Sequence, residues 1–254
     1  MSINSMSIPP ELAEIIVKCI EDAVGDSIRA DIRESDLCTY NSVPSRIWDY
    51  INRNIIRALG AMDCTVITAH RGPWEMLVIY EKSTQSIITF MREKRFSELQ
   101  RQQKRRNRMH YVDMLAKQFN SNLLAPHDQL TFFPHEFSDE DRLAELVQTL
   151  LSDLNGIAEI VRHHVLVLFD TVGYQLLHIR AVMVTPTLEI AQNCEWDWSK
   201  YISTVEGSVV ETVDDTHSPV NQPERGLSLT KKALERKKNK PKPKSHDLEI
   251  KEGG

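Results

Sequence analysis

From Trp74 to Glu81 the chain alternates without a break. Trp74, Met76, Val78 and Tyr80 fall on one face, and Glu75, Leu77, Ile79 and Glu81 on the other. Period-two alternation marks a strand, because successive side chains leave a pleated backbone on opposite sides. Turns flank it: Arg71-Gly72-Pro73 precedes and Lys82-Ser83-Thr84-Gln85 follows. Proline lacks a ladder donor and glycine accepts turn conformations, so the chain must reverse there. Asp63 to His70 and Ser86 to Arg92 are therefore its neighbours in an antiparallel three-stranded meander. His164 to Asp170 and Gln175 to Thr185, around Val172-Gly173, predict a second hairpin, with Leu188 to Ala191 as a short further strand. The two hairpins are expected to pair into one five-stranded sheet.

Helical spacing supplies the other layer. Pro9 and Pro10 open a first helix, where a missing N–H costs nothing. Its apolar stripe is Leu12, Ile15, Ile16, Cys19, Ile20 and Ala23, and Gly25 is expected to end it. A second helix starts near Val43-Pro44-Ser45 and stops at Gly60, with Ile47, Trp48, Ile51, Ile55, Ala58 and Leu59 inward. A third is predicted from Arg95 to Asn107, continuing toward Asn120 on the stripe of Met109, Val112, Met114, Leu115 and Phe119. A fourth has Ser138 as N-cap, acids at 139–141 and an apolar face from Leu143 to Leu154. The fold class is α+β: an antiparallel or mixed sheet, built from the meander and the second hairpin, flanked by helices. Residues 1–202 form a single globular domain. Residues 203–254 turn polar and then Lys-rich, too poor in apolar surface to fold alone, and are expected to be a disordered tail.

Several function classes lose their footing. Met1 to Pro10 has no signal-peptide pattern, and no run approaches the roughly 20 apolar residues of a membrane span. Cys19, Cys38, Cys64 and Cys194 are scattered, without a CxxC pair, and read as free reduced thiols. A cytoplasmic protein without a membrane partner is expected. The 9 glycines form no phosphate loop of GxxxxGK or GxGxxG order, and no G-x-S-x-G elbow exists. The leading reading therefore expects no cofactor and no metal.

Charge is segregated. The net charge is −5, yet Arg92, Lys94, Arg95, Arg101, Lys104, Arg105, Arg106 and Arg108 stand against only Glu93 and Glu98. The stretch 92–108 thus carries +6 and the rest of the chain −11. Concentrated Lys and Arg are the usual footprint of phosphate binding, through counterion release. Arg101, Arg105 and Arg108 share one helical face with Lys104 beside it, while Gln100, Gln102, Gln103 and Asn107 offer further donors. The bland alternative is a solvated helix or one paired with the acidic remainder. Lys231 to Lys244 adds eight basic residues in the tail, a second polyanion contact by linkage.

Other constellations are weaker. His163 and His164 are adjacent on a strand, so they point apart. His127, Asp128, His135 and Glu136 share one loop with irregular spacing and read as structural. Trp196 and Trp198, two apart, are expected to pack the end of the domain onto its core. The order of helix 45–60, meander 63–92, helix 95–119 and strand 164–170 resembles the αβββαβ core of the PD-(D/E)XK nucleases. That resemblance implies a divalent cation held by Glu75 and Glu93, with Lys94 alongside. The motif departs from the pattern: Glu93-Lys94-Arg95 reads E-x-R, and Gly72-Pro73 stands where Pro-Asp belongs.

Four blocks resemble an uncharacterised family of bacterial proteins. They are Trp48-Asp49…Asn54, Arg71-Gly72-Pro73-Trp74-Glu75, His110-Tyr111-Val112-Asp113-Met114-Leu115 and Trp198-Ser199-Lys200-Tyr201-Ile202. The resemblance spans about residues 10–202, leaves the tail outside, and implies a bacterial or phage setting without residue roles. The leading expectation is a non-enzymatic protein that binds nucleic acid, or an acidic protein partner, through helix 92–108. Arg101, Lys104, Arg105 and Arg108 would make the contacts. The alternatives are a metal-dependent nuclease at Glu75, Glu93 and Lys94, and a scaffold or regulatory subunit.

Overall fold

The computed structural model describes residues 7–36, 38–60, 62–71, 74–103, 109–123, 152 and 156–203. The chain divides into two units, Met1–Thr204 and Val205–Gly254, and every described residue belongs to the first. The expected helix at 138–154, the histidine loop at 127–136 and the Lys-rich tail fall outside the described residues, Ser152 excepted.

Six strands form one mixed sheet in chain order: β1 (Cys64–Arg71), β2 (Trp74–Glu81), β3 (Ser86–Arg92), β4 (His163–Val172), β5 (Gln175–Val184) and β6 (Ile190–Asp197). The meander stands as the alternation predicts, with Arg71 opposite Trp74 across the first turn. Glu81 closes the second turn by accepting from the Ser83 and Thr84 amides at 2.8 and 2.7 Å. The last strand is longer than expected and gives the sheet six strands rather than five. β3 and β4 pair in parallel over Ser86↔His163 to Arg92↔Phe169, joining meander to hairpin. Parallel neighbours need a crossover. The helices α4 (Glu93–Gln102) and α5 (Tyr111–Phe119) lie within it. The continuous helix expected from 95 to 119 is therefore two. His110 and Asp113 form a reciprocal capping box that starts α5 afresh, the Asp113 carboxylate accepting the His110 amide at 2.8 Å.

Both faces of the sheet are covered. On one lie α1 (Pro10–Asp22), a π-helical turn (Ala23–Ser27), α2 (Ile28–Ser35) and α3 (Val43–Leu59), packed on Leu77, Ile79, Phe90, Val167, Phe169 and Ile179. On the other, α4 and α5 pack on Val78, Tyr80, Met91, Leu166, Leu168 and Val182. Gly25 does not end the first helix. Its cost inside a helix is only about 1 kcal/mol, and Ala23, Val24 and Ile28 around it are buried in the core. The wider π turn carries the chain on instead.

Two polar side chains complete the sheet where its ladders stop. β2 and β3 pair only from Ile79↔Ile88 to Glu81↔Ser86, and beyond that the Tyr111 hydroxyl donates to the Phe90 carbonyl at 3.1 Å. Between β4 and β5, fully buried Asn120 accepts the His164 amide at 2.9 Å and donates to the His164 and Val184 carbonyls at 2.9 and 3.0 Å. Trp198 is buried in the core beside α1, and Ser199 Oγ accepts the Ile179 amide and donates to the Ile179 carbonyl. The Trp196–Trp198 pair closes the domain as expected.

Candidate nucleic-acid interface

The basic helix has an inner and an outer flank. Phe96 and Leu99 are 1% exposed and hold α4 on the sheet. Beside them Gln100 donates to the Leu188 carbonyl at 2.8 Å and Gln103 to the Pro186 carbonyl at 3.2 Å. These two amides, expected as donors to a ligand, instead clamp the helix to the β5–β6 turn. Arg101 is exposed, its Nε donating to the Ser97 carbonyl at 3.3 Å. Lys94 and Arg101 lie seven residues apart, on one outward flank, with the exposed Gln102 adjacent. Lys104, Arg105 and Arg108, like Arg106 and Asn107, fall outside the described residues.

The acids of the segment are neutralised. Glu93 accepts two bonds from Arg180, at 3.1 and 2.5 Å, and the same guanidinium reaches Glu195 at 2.6 Å. Glu98 pairs with Arg95 at 3.2 Å. Arg92 counts toward the basic run but faces inward. It packs 5.6 Å from the Phe169 ring and donates to Thr171 Oγ1 at 3.0 Å. Burial pulls its pKa below the ordinary arginine value, with Asp170 opposing.

Glu75 and Glu93 are not brought together. Glu75 shares its parity with Leu77 and Ile79, which face α3, and lines a cleft beside Arg57. Glu93 is bound by Arg180, whose parity with Val182 and Val184 places it on the α4 side. Lys94 is exposed at the start of α4. The element order of the nuclease comparison is present, but its two carboxylates lie on opposite faces.

His164 is fully buried with Nε2 2.8 Å from Thr89 Oγ1, and Nδ1 has no hydrogen-bond partner. Burial drives its pKa down to about 3. The four cysteines are free, and burial pushes Cys19 and Cys64 up to about 11, so neither is a ready thiolate at neutral pH. Among the described residues no three His, Cys, Asp or Glu side chains gather as a metal-binding group, and no helix is long and apolar enough to cross a membrane. The clamp by Gln100 and Gln103 and the Arg180–Glu93 pair escaped the sequence. Their partners lie 80 to 90 positions away, and nothing local signals them.

The model of a family of unknown function matches residues 5–246. The match runs past residue 202 and takes in the whole Lys-rich run 231–244, which the resemblance had left outside. No curated protein and no solved structure matches the chain.

Proposed function

The chain belongs to that family of unknown function, DUF5986, and since the family lends no residue roles we propose, from the charges alone, that the protein is a non-enzymatic nucleic-acid-binding protein acting through the outer flank of α4 and the residues that follow it. One observation carries the reading. The helix is anchored from within, by Phe96, Leu99, Gln100 and Gln103, while Lys94 and Arg101 face solvent and Glu93 is neutralised from the sheet. The sequence then continues with Lys104, Arg105, Arg106 and Arg108. A rigidly held basic flank loses little conformational entropy on meeting a phosphate backbone. Lysines at 231–244 would add affinity through the linked-site effect without adding specificity.

The test is fluorescence anisotropy with short single- and double-stranded DNA and RNA at two salt concentrations. It compares the full chain with the quadruple variant Arg101→Ala, Lys104→Ala, Arg105→Ala and Arg108→Ala. If each residue neutralises one phosphate, the slope of log affinity against log salt should flatten by about 4 × 0.9 for duplex DNA. Binding that is absent at low salt, or unchanged in the quadruple variant, would sink the proposal and direct the search to a protein partner. Parallel samples with magnesium or manganese, run on a gel, would report cleavage, and its loss in Glu75→Ala or Glu93→Ala would revive the nuclease reading.

A further inference from the structure

The two edges of the sheet are built differently. β6 is blunted: its ladder with β5 shifts register between Val182 and Val184, Asn193 adopts a left-handed φ of 58°, and Gln192, Asn193 and Glu195 are exposed. Such irregularities and charges keep other strands away. β1 has no such irregularity, and its only charged residue, Arg71, stands at its end. Its eight residues pair with β2 in unbroken register, and among the described residues no strand pairs with its outer side. Cys64 to Ala69 contains no charged residue and no proline, and Thr65-Val66-Ile67-Thr68 is wholly β-branched. An edge of this kind presents a row of amides and carbonyls ready for another strand.

The helix layer also thins out above it. Thr68 is exposed, and an open cleft of about 370 Å³ separates the strands from α3. Asp49, Arg53, Ile56, Arg57, Thr68 and Glu75 line it. Ile56 is 50% exposed, a large apolar side chain on the rim.

We propose that β1 pairs antiparallel with β1 of a second copy of this chain, joining the two six-stranded sheets into one across a two-fold axis. Three features favour a second copy over other occupants. Pairing centred on Ile67 sets Val66 against Thr68 and Cys64 against His70, and brings no like charges face to face. The cleft sets the α3 stretch from Asp49 to Arg57 beside Thr68, so a two-fold axis near Ile67 would lay the two α3 stretches antiparallel on the same face of the joined sheet and bring Arg57 of one toward Asp49 of the other. The rim carries both signs, Arg53 and Arg57 with Asp49 and Glu75, which a self-complementary interface satisfies twice. A polyanion on this rim would meet two carboxylates. The proposed polyanion surface on α4 lies on the other face, so neither proposal depends on the other.

Sedimentation of the full chain over a micromolar concentration range tests this, with circular dichroism to confirm that each variant is folded. The wild type is expected to sediment as a dimer. Thr68→Lys, which places a charge on the edge, is expected to give monomer. Arg57→Glu, on the exposed flank of α3, breaks two symmetry-related ion pairs and should weaken dimerisation about tenfold. The combination Arg57→Glu with Asp49→Arg should restore it. Because Arg57→Glu leaves the sheet untouched, it remains informative even if Thr68→Lys fails to fold. A monomer at every concentration, or a dimer that Arg57→Glu leaves unchanged, overturns the proposal.

Discussion

At the scale of single residues, the sequence hides which polar groups the core uses. His164 lies in an apolar strand and reads as one of two neighbouring histidines, yet it is fully buried while His163 is only half-buried. Burial holds His164 neutral, with a pKa near 3 against an ordinary 6.5. Below pH 6.5 the unfolded chain therefore binds a proton that the folded chain refuses, so stability falls as the pH falls through the window from 6.5 to 3. The slope is about 1.4 kcal/mol per pH unit. Burial pushes His163 in the same direction, with Arg162 adding to it. From pH 7 to pH 5 the protein should lose about 2 kcal/mol to His164, read as a lower urea midpoint. His164→Leu should remove most of that slope whatever it does to stability at pH 7, and an unchanged slope would refute this assignment. Asn120 teaches the same lesson. As an asparagine after Phe119 it reads as a helix end, which it is, but it also stands in for the missing rungs between β4 and β5.

At the scale of elements, the meander was fully legible and the crossover only in part. Strands β1 to β3 follow from alternation and from turn chemistry at 71–73 and 82–85, both of which act over a few residues. The parallel junction of β3 with β4 is a backbone ladder between strands more than 70 positions apart, so no local pattern announces it. Charge was legible as a count and misleading as a surface, since Arg92 turns inward and Glu93 is paired. Arg180 is the element-scale hinge of this arrangement: it binds the start of α4 through Glu93 and β6 through Glu195, and its side chain is only 18% exposed. Arg180→Met would keep the packing of the stem and leave two carboxylates without their cation. Full burial would make that cost about 3–5 kcal/mol. With Glu195 half-exposed and partly screened, about 2 kcal/mol is expected. Urea unfolding measures it. A loss below about 0.5 kcal/mol, the size of a surface pair, would mean that α4 is positioned by Phe96, Leu99 and the two glutamines alone.

At the scale of the whole domain, one sheet serves two cores. Side chains of the same strand alternate between them: Val165, Val167 and Phe169 of β4 face α1 and α3, while Leu166 and Leu168 face α4 and α5. Neither layer of helices can leave without exposing strands on which the other depends, so the two cores should melt together despite lying on opposite faces. Tryptophan offers a way to see this, because Trp48, Trp196 and Trp198 all belong to the α1–α3 core or its margin. Leu115, fully buried beneath α5, belongs to the opposite core. Leu115→Ala should cost about 2–5 kcal/mol, the transfer term of the lost methyl and methylene groups plus the cavity they leave. In a Trp74→Phe background, intrinsic fluorescence then reports only the far core. The shared sheet predicts that the fluorescence midpoint falls by as much as the midpoint from far-ultraviolet circular dichroism, with both curves superimposing as one two-state transition. A fluorescence curve that stays at the wild-type midpoint while the dichroism curve shifts would show α4 and α5 detaching first. The basic flank would then sit on a layer that opens independently of the rest, and the rigidity argued for it at the polyanion surface would fail with it.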